Sequence, residues 1–320
     1  MSEQAIHWST VKERGTALGI WIIAFAYQYG GKLLAKFILS FVIAYFFATD
    51  PHARKHSRGY LQRLSGTFPQ VSISPVRWWH IYYHLYNFGA AALDKVSAWL
   101  GGITAKDVVV HGENQLDDLY KKKSGAFFIT SHLGNIEVCR ALGQGGKSKV
   151  TLNVLVFTAH ADKFNNVLKT LSPDAGLNLI SVQGFGPETA VMLQEKIAAG
   201  EFVVMVGDRT SVSNFGRVEY VDFLGDKAPF SIGPFVLANL MDCPVFTMTA
   251  IKLKGKFNLF IDPFTSCQNI ERKNRNLLLK QAIQDYANTL AKYCAKAPYQ
   301  WFNFFDFWAV DDESLVKKYK

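Results

Sequence analysis

Cysteine is scarce in this chain, with 4 residues in 320. Cys139, Cys243, Cys267 and Cys294 lie far apart and form no C-x-x-C pair. This spacing argues against a zinc site and against a disulfide framework, and it favours a reducing, cytosol-facing location. Cys139 follows Glu137 by two residues, so a nucleophile is one interpretation. A small buried apolar residue is the simpler expectation.

Two catalytic motifs are also missing. The chain has no G-x-S-x-G stretch, so the nucleophile elbow of serine hydrolases is not expected. It has no H-E-x-x-H helix either, which argues against a zinc hydrolase.

Acidic residues are the minority among the charged ones, 26 against 35 lysines and arginines, which gives a net charge of +9. A basic protein favours anionic partners such as nucleic acid, anionic lipid or an acidic protein. Nucleic acid is not expected, because the chain has no zinc-finger spacing, no RNP-like aromatic motif and no single strongly basic helix. Lipid and an acidic protein remain as candidate partners.

The amino-terminal region contains two apolar stretches. Residues 15–31, "GTALGIWIIAFAYQYGG", carry no charge, and residues 37–49, "FILSFVIAYFFAT", follow Lys32 and Lys36. A membrane span needs about 20 apolar residues, and neither stretch clearly provides them. We expect helices that lie in or on the membrane surface. A single crossing and a pair of core helices remain as alternatives, and no small-residue cleavage site indicates a signal peptide.

A cluster of cations follows the second apolar stretch. Arg54, Lys55, Arg58 and Arg63 come directly after it. Positive charge beside a membrane-associated segment is typical of the cytoplasmic side, where it attracts anionic lipid. A solvated helix face would have the same composition. The sequence thus predicts a monotopic or single-pass protein at the cytoplasmic face of a membrane.

The rest of the chain alternates between β-branched or aromatic runs and helical patterns. Strands are predicted at residues 108–110, 126–130, 151–157, 177–182, 202–206, 244–251 and 257–261. Helices are predicted at residues 136–142, 162–171, 187–199, 232–241 and 274–295. This alternation is typical of an α/β fold with a mainly parallel sheet flanked by helices. We expect an amino-terminal helical region over residues 1–104 and an α/β domain over 105–320, although one continuous domain is also compatible.

The stretch Ser131-His132-Leu133-Gly134-Asn135-Ile136-Glu137 follows a predicted buried strand. Functional groups collect at the carboxyl ends of parallel strands. Asn135 is the expected N-cap of the next helix, and Glu137 would lie in its first turn. A tight turn at Gly134 can bring the Glu137 carboxylate to the His132 imidazole and fix its tautomer. His132 would then be a general base; a polar plug at the strand end is the structural alternative.

This stretch resembles the His-x4-Asp/Glu motif of the lysophospholipid acyltransferase superfamily. It is similar, more narrowly, to the lipid A late acyltransferases, the lauroyl and myristoyl transferases of the bacterial inner membrane. Three further stretches carry the resemblance, and together they cover nearly the whole chain. They are "GDRT" at residues 207–210, "VDFLGDKAPFSIGPFVLANLMDCPVF" at 221–246, and the two ends at 8–19 and 300–308.

The resemblance implies the fold of that superfamily and a defined reaction. A fatty acyl group would pass from an acyl-carrier-protein or coenzyme A thioester to a hydroxyl of a membrane lipid or glycolipid. His132 would be the general base and Glu137 its charge partner, without a covalent intermediate, a metal or another cofactor. The implied partners are inner-membrane lipids and an acyl carrier protein.

Asn135, Asp208, Arg209 and Arg217 are the predicted substrate-binding residues. Asp208 and Arg209 stand where the superfamily has a charged pair, and the arginine could hold a phosphate or phosphopantetheine group bidentately. An ion pair that anchors the loop is the alternative. Residues 156–166 lack an arginine that the family commonly has there, so the acceptor lipid stays open, as do the acyl length, the donor carrier and the oligomeric state.

Two other functions fit the same residues. One is a non-catalytic lipid-binding membrane protein, which would have no need for both His132 and Glu137. The other is a thioesterase, because the same base can activate water.

Overall fold

The computed structural model describes residues 17–99, 102–136, 150–156, 177–181, 186–209, 218–267 and 272–309. The helices are α1 Ala17–Thr49, α2 Pro51–Thr67, α3 Trp78–Trp99, α4 Glu113–Lys122, α5 Pro187–Ala198, α6 Gly233–Leu240 and α7 Arg275–Lys296. The strands are β1 Val108–His111, β2 Ala126–Thr130, β3 Leu152–Val156, β4 Leu177–Ser181, β5 Phe202–Val206, β6 Val218–Phe223, β7 Asp226–Ser231, β8 Val245–Leu253 and β9 Lys256–Pro263.

Seven of these strands form one mixed sheet in the order β1-β9-β8-β2-β5-β3-β4. Every neighbouring pair is parallel except the β8–β9 hairpin. All seven predicted strands coincide with strands of this sheet, so the expectation of a mainly parallel α/β sheet flanked by helices is confirmed. Apart from Ile136, the helices predicted at 136–142 and 162–171 lie outside the described residues.

A second, two-stranded sheet was not predicted. It consists of β6 and β7. Leu224 and Gly225 connect the two strands with φ angles of 52° and 89°. Positive φ at both central residues is the conformation that a tight two-residue hairpin turn requires, and Gly225 adopts it without strain.

The centre of the main sheet is apolar on both faces. All five residues of β2 are buried, as expected for a strand between two parallel neighbours. Phe128 belongs to a core cluster with Leu116 and Leu119 of α4. Because side chains alternate along a strand, Ile129 points to the opposite face, where it lies beside Tyr286 of α7. The sheet is therefore covered by helices on both sides.

The chain forms two compact units. The first is taken from Met1–Leu93, Tyr220–Pro229 and Ala291–Lys320, and the second from Asp94–Glu219 and Phe230–Leu290. The main sheet belongs to the second unit. The division that the sequence suggests near residue 104 stays a prediction.

The first unit has a polar contact at its centre. His84 is fully buried, with Nδ1 2.9 Å from Oγ of Ser57 and Nε2 2.9 Å from the carbonyl oxygen of Trp301. Burial lowers the pKa of His84 to about 4, against an ordinary value of 6.5. The neutral imidazole therefore joins α2, α3 and the carboxyl-terminal aromatic segment. Trp301 is fully buried, so this segment packs in a core.

The amino-terminal helices follow the expected apolar stretches. Helix α1 contains a break at Gly31, where φ is 69° and ψ is −174°. No single described helix is long and apolar enough to pass for a membrane span, but Leu33–Thr49 and Pro51–Thr67 pass together, bent by 94°.

Candidate functional site

The candidate site lies where two neighbouring parallel strands end. Strands β2 and β5 pair with Thr130 opposite Val206. His132 and Asp208 each stand two residues beyond this register pair. The parallel pairing therefore brings the two side chains to the same edge of the sheet at the same level, as expected for functional groups of an α/β fold.

Asp208 binds His132 through both carboxylate oxygens. Oδ2 accepts from the backbone N–H of His132 at 2.9 Å, and Oδ1 lies 2.8 Å from the ring Nδ1. The Asp208 side chain is completely buried, whereas 36% of the His132 side chain is exposed. An ionised carboxylate only accepts, so in the neutral imidazole this contact favours the tautomer with the proton on Nδ1 and Nε2 as the acceptor nitrogen.

The ends of β2 and β5 are held together by one carbonyl group. The oxygen of Thr130 accepts from the backbone N–H of Gly207 at 2.8 Å and from Oη of Tyr286 at 2.7 Å. A Cβ at position 207 would lie 2.8 Å from Cζ of Tyr286 and 2.9 Å from Cγ2 of Ile129. The loop that carries Asp208 therefore needs a glycine immediately before the aspartate.

The loop after His132 is bound to the strand on the other side. Gly134 forms a bridge with Ala250 of β8, and the backbone N–H of Asn135 donates to the Ala250 carbonyl at 2.8 Å. Gly134 has a φ of 76°, and a Cβ there would collide with the same carbonyl oxygen. A glycine is therefore required at this position. Asn135 itself is 3% exposed.

Arg209 continues the β5 loop directly after Asp208. Burial lowers the pKa of its guanidinium, and the neighbouring Asp208 carboxylate opposes that shift. An arginine keeps its charge under such a shift. A cation thus lies one residue from the carboxylate that orients His132.

Of the six predicted site residues, His132 and Asp208 are in direct contact, and Asn135 and Arg209 lie on the same two loops. Glu137 and Arg217 lie outside the described residues, as do Cys139 and residues 157–166. The pairing of His132 with Asp208 was not predicted from the sequence, although the position of both residues just after predicted strands was a signal for it.

Cysteine chemistry is not favoured at Cys243 or Cys267. Burial raises the pKa of Cys243 to about 12 and that of Cys267 also to about 12. A raised pKa keeps the side chain a thiol, which is a poorer nucleophile than a thiolate. Neither residue therefore fits a nucleophilic role. Within the described ranges, no group of three or more His, Cys, Asp or Glu side chains is arranged to hold a metal ion.

The chain was compared with protein-family models and with curated proteins, and nothing matched in either comparison.

Proposed function

We propose that this protein is an acyltransferase that moves a fatty acyl group from a carrier-protein or coenzyme A thioester to a hydroxyl of a membrane lipid or glycolipid. The observation that carries the proposal is the His132–Asp208 pair at the end of β2 and β5. It supplies a partly exposed imidazole whose Nδ1 is held by a buried carboxylate.

In the proposed reaction, Nε2 of His132 takes the proton of the acceptor hydroxyl while its oxygen attacks the thioester carbonyl carbon. The carbonyl electron pair moves to oxygen and returns as the C–S bond breaks. The leaving thiolate then takes the proton from Nε2. The products are an ester and a free thiol, the histidine ends unchanged, and no acyl-enzyme forms. A positioned base of this kind typically contributes about 100- to 10,000-fold to the rate.

Asp208 has a positioning role in this scheme. It holds the Nδ1–H tautomer and stabilises the imidazolium that forms during attack, as the aspartate of a catalytic triad does. The His-x4-Asp/Glu motif assigns this role to Glu137. Substitutions of Asp208 and of Glu137 distinguish the two carboxylates. Arg209 is proposed to attract the phosphate of a carrier or acceptor group.

An acyl carrier protein is the proposed donor partner, because such a partner is acidic and the same sheet edge is basic. Strand β8 runs parallel to β2, so the β8–β9 turn at Lys254 lies beyond the edge that carries His132. Lys254 and Lys256 are exposed, whereas Lys252 forms an ion pair with Asp94 at 2.7 Å. These charges would steer an acidic protein to the site.

The deciding experiment incubates the purified chain with a radiolabelled acyl-carrier thioester and a bacterial lipid extract. A new labelled lipid is expected from the wild type, and His132→Ala should lower its formation by at least about 100-fold. His111→Ala is the matched control, because His111 is an exposed histidine on edge strand β1. Transfer by His132→Ala at the wild-type rate would refute the mechanism.

Other outcomes identify the two alternatives. Free fatty acid released without dependence on the lipid extract indicates a thioesterase. Lipid that co-purifies without any turnover indicates a non-catalytic lipid-binding protein. For the donor, Lys254→Glu/Lys256→Glu should raise KM for the carrier-protein thioester but not for acyl-coenzyme A. The matched control Lys121→Glu/Lys122→Glu changes two exposed lysines on α4 and should leave both KM values unchanged.

A further inference from the structure

The first unit carries an unusual concentration of exposed large apolar side chains. On α1, Leu33, Phe37, Phe41 and Tyr45 are 84%, 61%, 62% and 64% exposed. Residues four apart share one face of a helix, so these side chains form a continuous row, which we call the α1 stripe. On α3, Trp78 and Trp79 are exposed as well.

The opposite face of α1 is already packed against protein. Ala35, Leu39 and Ile43 are buried in a cluster with Leu85 of α3. The contact is close, because a Cβ at Gly89 would lie 2.7 Å from Cδ1 of Leu39. The α1 stripe therefore lies on the side of α1 that faces away from α3. A surface helix ordinarily has polar residues on that side, and a contiguous exposed apolar patch marks an interaction site.

Helix α2 adds charge beside this stripe. It contains four lysines and arginines over Pro51–Thr67 and no aspartate or glutamate. Lys55 and Arg58 are exposed and three residues apart, so they share a face, which we call the α2 cationic face.

The corner between α1 and α2 is built by side chains. The guanidinium of Arg54 donates to the carbonyl oxygens of Phe47 and Ala48 at the end of α1 and lies 5.6 Å from the Phe47 ring centroid. Asp50 caps α2 by accepting from the backbone N–H of Ala53 at 3.0 Å. These contacts hold the apolar and the cationic surfaces next to each other.

We infer that the α1 stripe and the α2 cationic face together bind the surface of an anionic glycerophospholipid bilayer. The stripe enters the acyl region, Lys55 and Arg58 contact phosphate groups, and Trp78 and Trp79 lie at the interface, which their amphipathic rings favour. The guanidinium of Arg77 stacks over Trp79 at 5.0 Å, which places a further cation among these rings.

Charge complementarity favours this occupant over a second copy of the chain. In a two-fold symmetric contact the same patch is used on both subunits, so the α2 cationic face of one copy would meet cationic or apolar side chains of the other. Neither neutralises its charge, whereas anionic headgroups do. The inference does not depend on the proposed enzymatic reaction.

The test is sedimentation of the purified full-length chain with vesicles of phosphatidylcholine alone or mixed with phosphatidylglycerol. Phe37→Ser/Phe41→Ser should lower the partition coefficient about tenfold or more for both vesicle types, because two aromatic rings leave the acyl region. Lys55→Glu/Arg58→Glu should lower it about tenfold for the anionic vesicles only, and added salt should abolish that difference.

Two matched controls separate these effects from general changes in surface character. Val191→Ser removes an exposed apolar side chain from α5, and Lys121→Glu/Lys122→Glu reverses two exposed charges on α4. Both should bind vesicles like the wild type. Circular dichroism and the thermal midpoint show whether each variant is folded.

Three results would overturn the inference. Folded stripe variants could bind both vesicle types as well as the wild type does. The controls could lose as much binding as the stripe variants. The stripe substitutions could instead convert a dimer to a monomer without changing vesicle binding, which would make a second copy of the chain the occupant.

Discussion

Asp208 accepts two hydrogen bonds from His132, one from the ring Nδ1 side at 2.8 Å and one from the backbone N–H at 2.9 Å. A single buried carboxylate thus fixes both the position of the loop and the orientation of the ring. Unlike Glu137, Asp208 follows a different strand from His132 and lies 76 residues further along the chain.

The first prediction concerns the tautomer of His132. In Asp208→Asn, the amide oxygen can still accept from the backbone N–H of His132. The NH2 group of the new side chain then faces Nδ1 of the His132 ring. The ring proton should therefore move to Nε2, which can no longer take a proton, and acyl transfer should fall roughly 100- to 10,000-fold. The tautomer is measured directly from the 15N shifts of the imidazole, independently of activity.

Glu137→Gln is the comparison for this prediction. The Nδ1–H tautomer should persist in that variant, because Asp208 is intact. If Glu137→Gln changes the tautomer and Asp208→Asn does not, Glu137 is the partner of His132 and the role assigned to Asp208 is wrong.

The second prediction concerns packing at Gly207. In Gly207→Ala the new methyl group meets the Tyr286 ring and Ile129 within 3 Å, and both side chains are buried. Overpacking of this kind should cost about 1–3 kcal/mol of unfolding free energy, measured by urea denaturation. Gly66→Ala in α2 has nothing within 4 Å and should be neutral or slightly stabilising. Equal effects in both variants would contradict the packing explanation.

The third prediction concerns the Tyr286 hydroxyl. Tyr286→Phe removes its bond to Thr130 but leaves that carbonyl oxygen bound to the Gly207 N–H. The expected loss is about 0.5–1.5 kcal/mol of unfolding free energy, the ordinary net value of one hydrogen bond. Tyr45→Phe, on the exposed face of α1, should have no measurable effect. A loss of several kcal/mol in Tyr286→Phe would indicate that the strand ends rearrange.

The fourth prediction is a pH dependence of stability that originates at His84. Its pKa is about 4 in the folded protein because of burial, and the ordinary value is 6.5. The unfolded chain therefore binds this proton first as the pH falls. The contribution of the neutral, buried His84 side chain to the free energy of unfolding is fully present above pH 6.5. It decreases by about 3 kcal/mol in total between pH 6.5 and 4.

His84→Gln removes this titration while keeping groups that can bond to Ser57 and Trp301. Urea unfolding of both proteins across that pH range gives the difference in slope. The wild type should lose more stability on acidification than His84→Gln does. Parallel pH profiles for the two proteins would show that His84 does not set the dependence.

The sequence by itself determined the local elements of the sheet. Apolar β-branched runs specified strands such as Ala126–Thr130 and Phe202–Val206, because a strand between parallel neighbours is buried on both faces. Proline at position 187 and glycine at 200 marked the ends of α5. The hairpin of β6 and β7 was missed because its strands alternate weakly and its turn begins with Leu224 rather than a typical turn residue.

Only the tertiary structure decided which groups meet. Local residue patterns do not encode strand order, and the order β8-β2-β5 is what places the loops after Thr130 and Val206 side by side and next to Ala250 of β8. Asp208 therefore reaches His132 through long-range strand pairing that no spacing along the chain reveals. Packing likewise decided which side of α1 is exposed. Helix α1 is apolar on all sides, and only the contact with α3 buries Leu39 and Ile43 while Phe37 and Phe41 stay exposed.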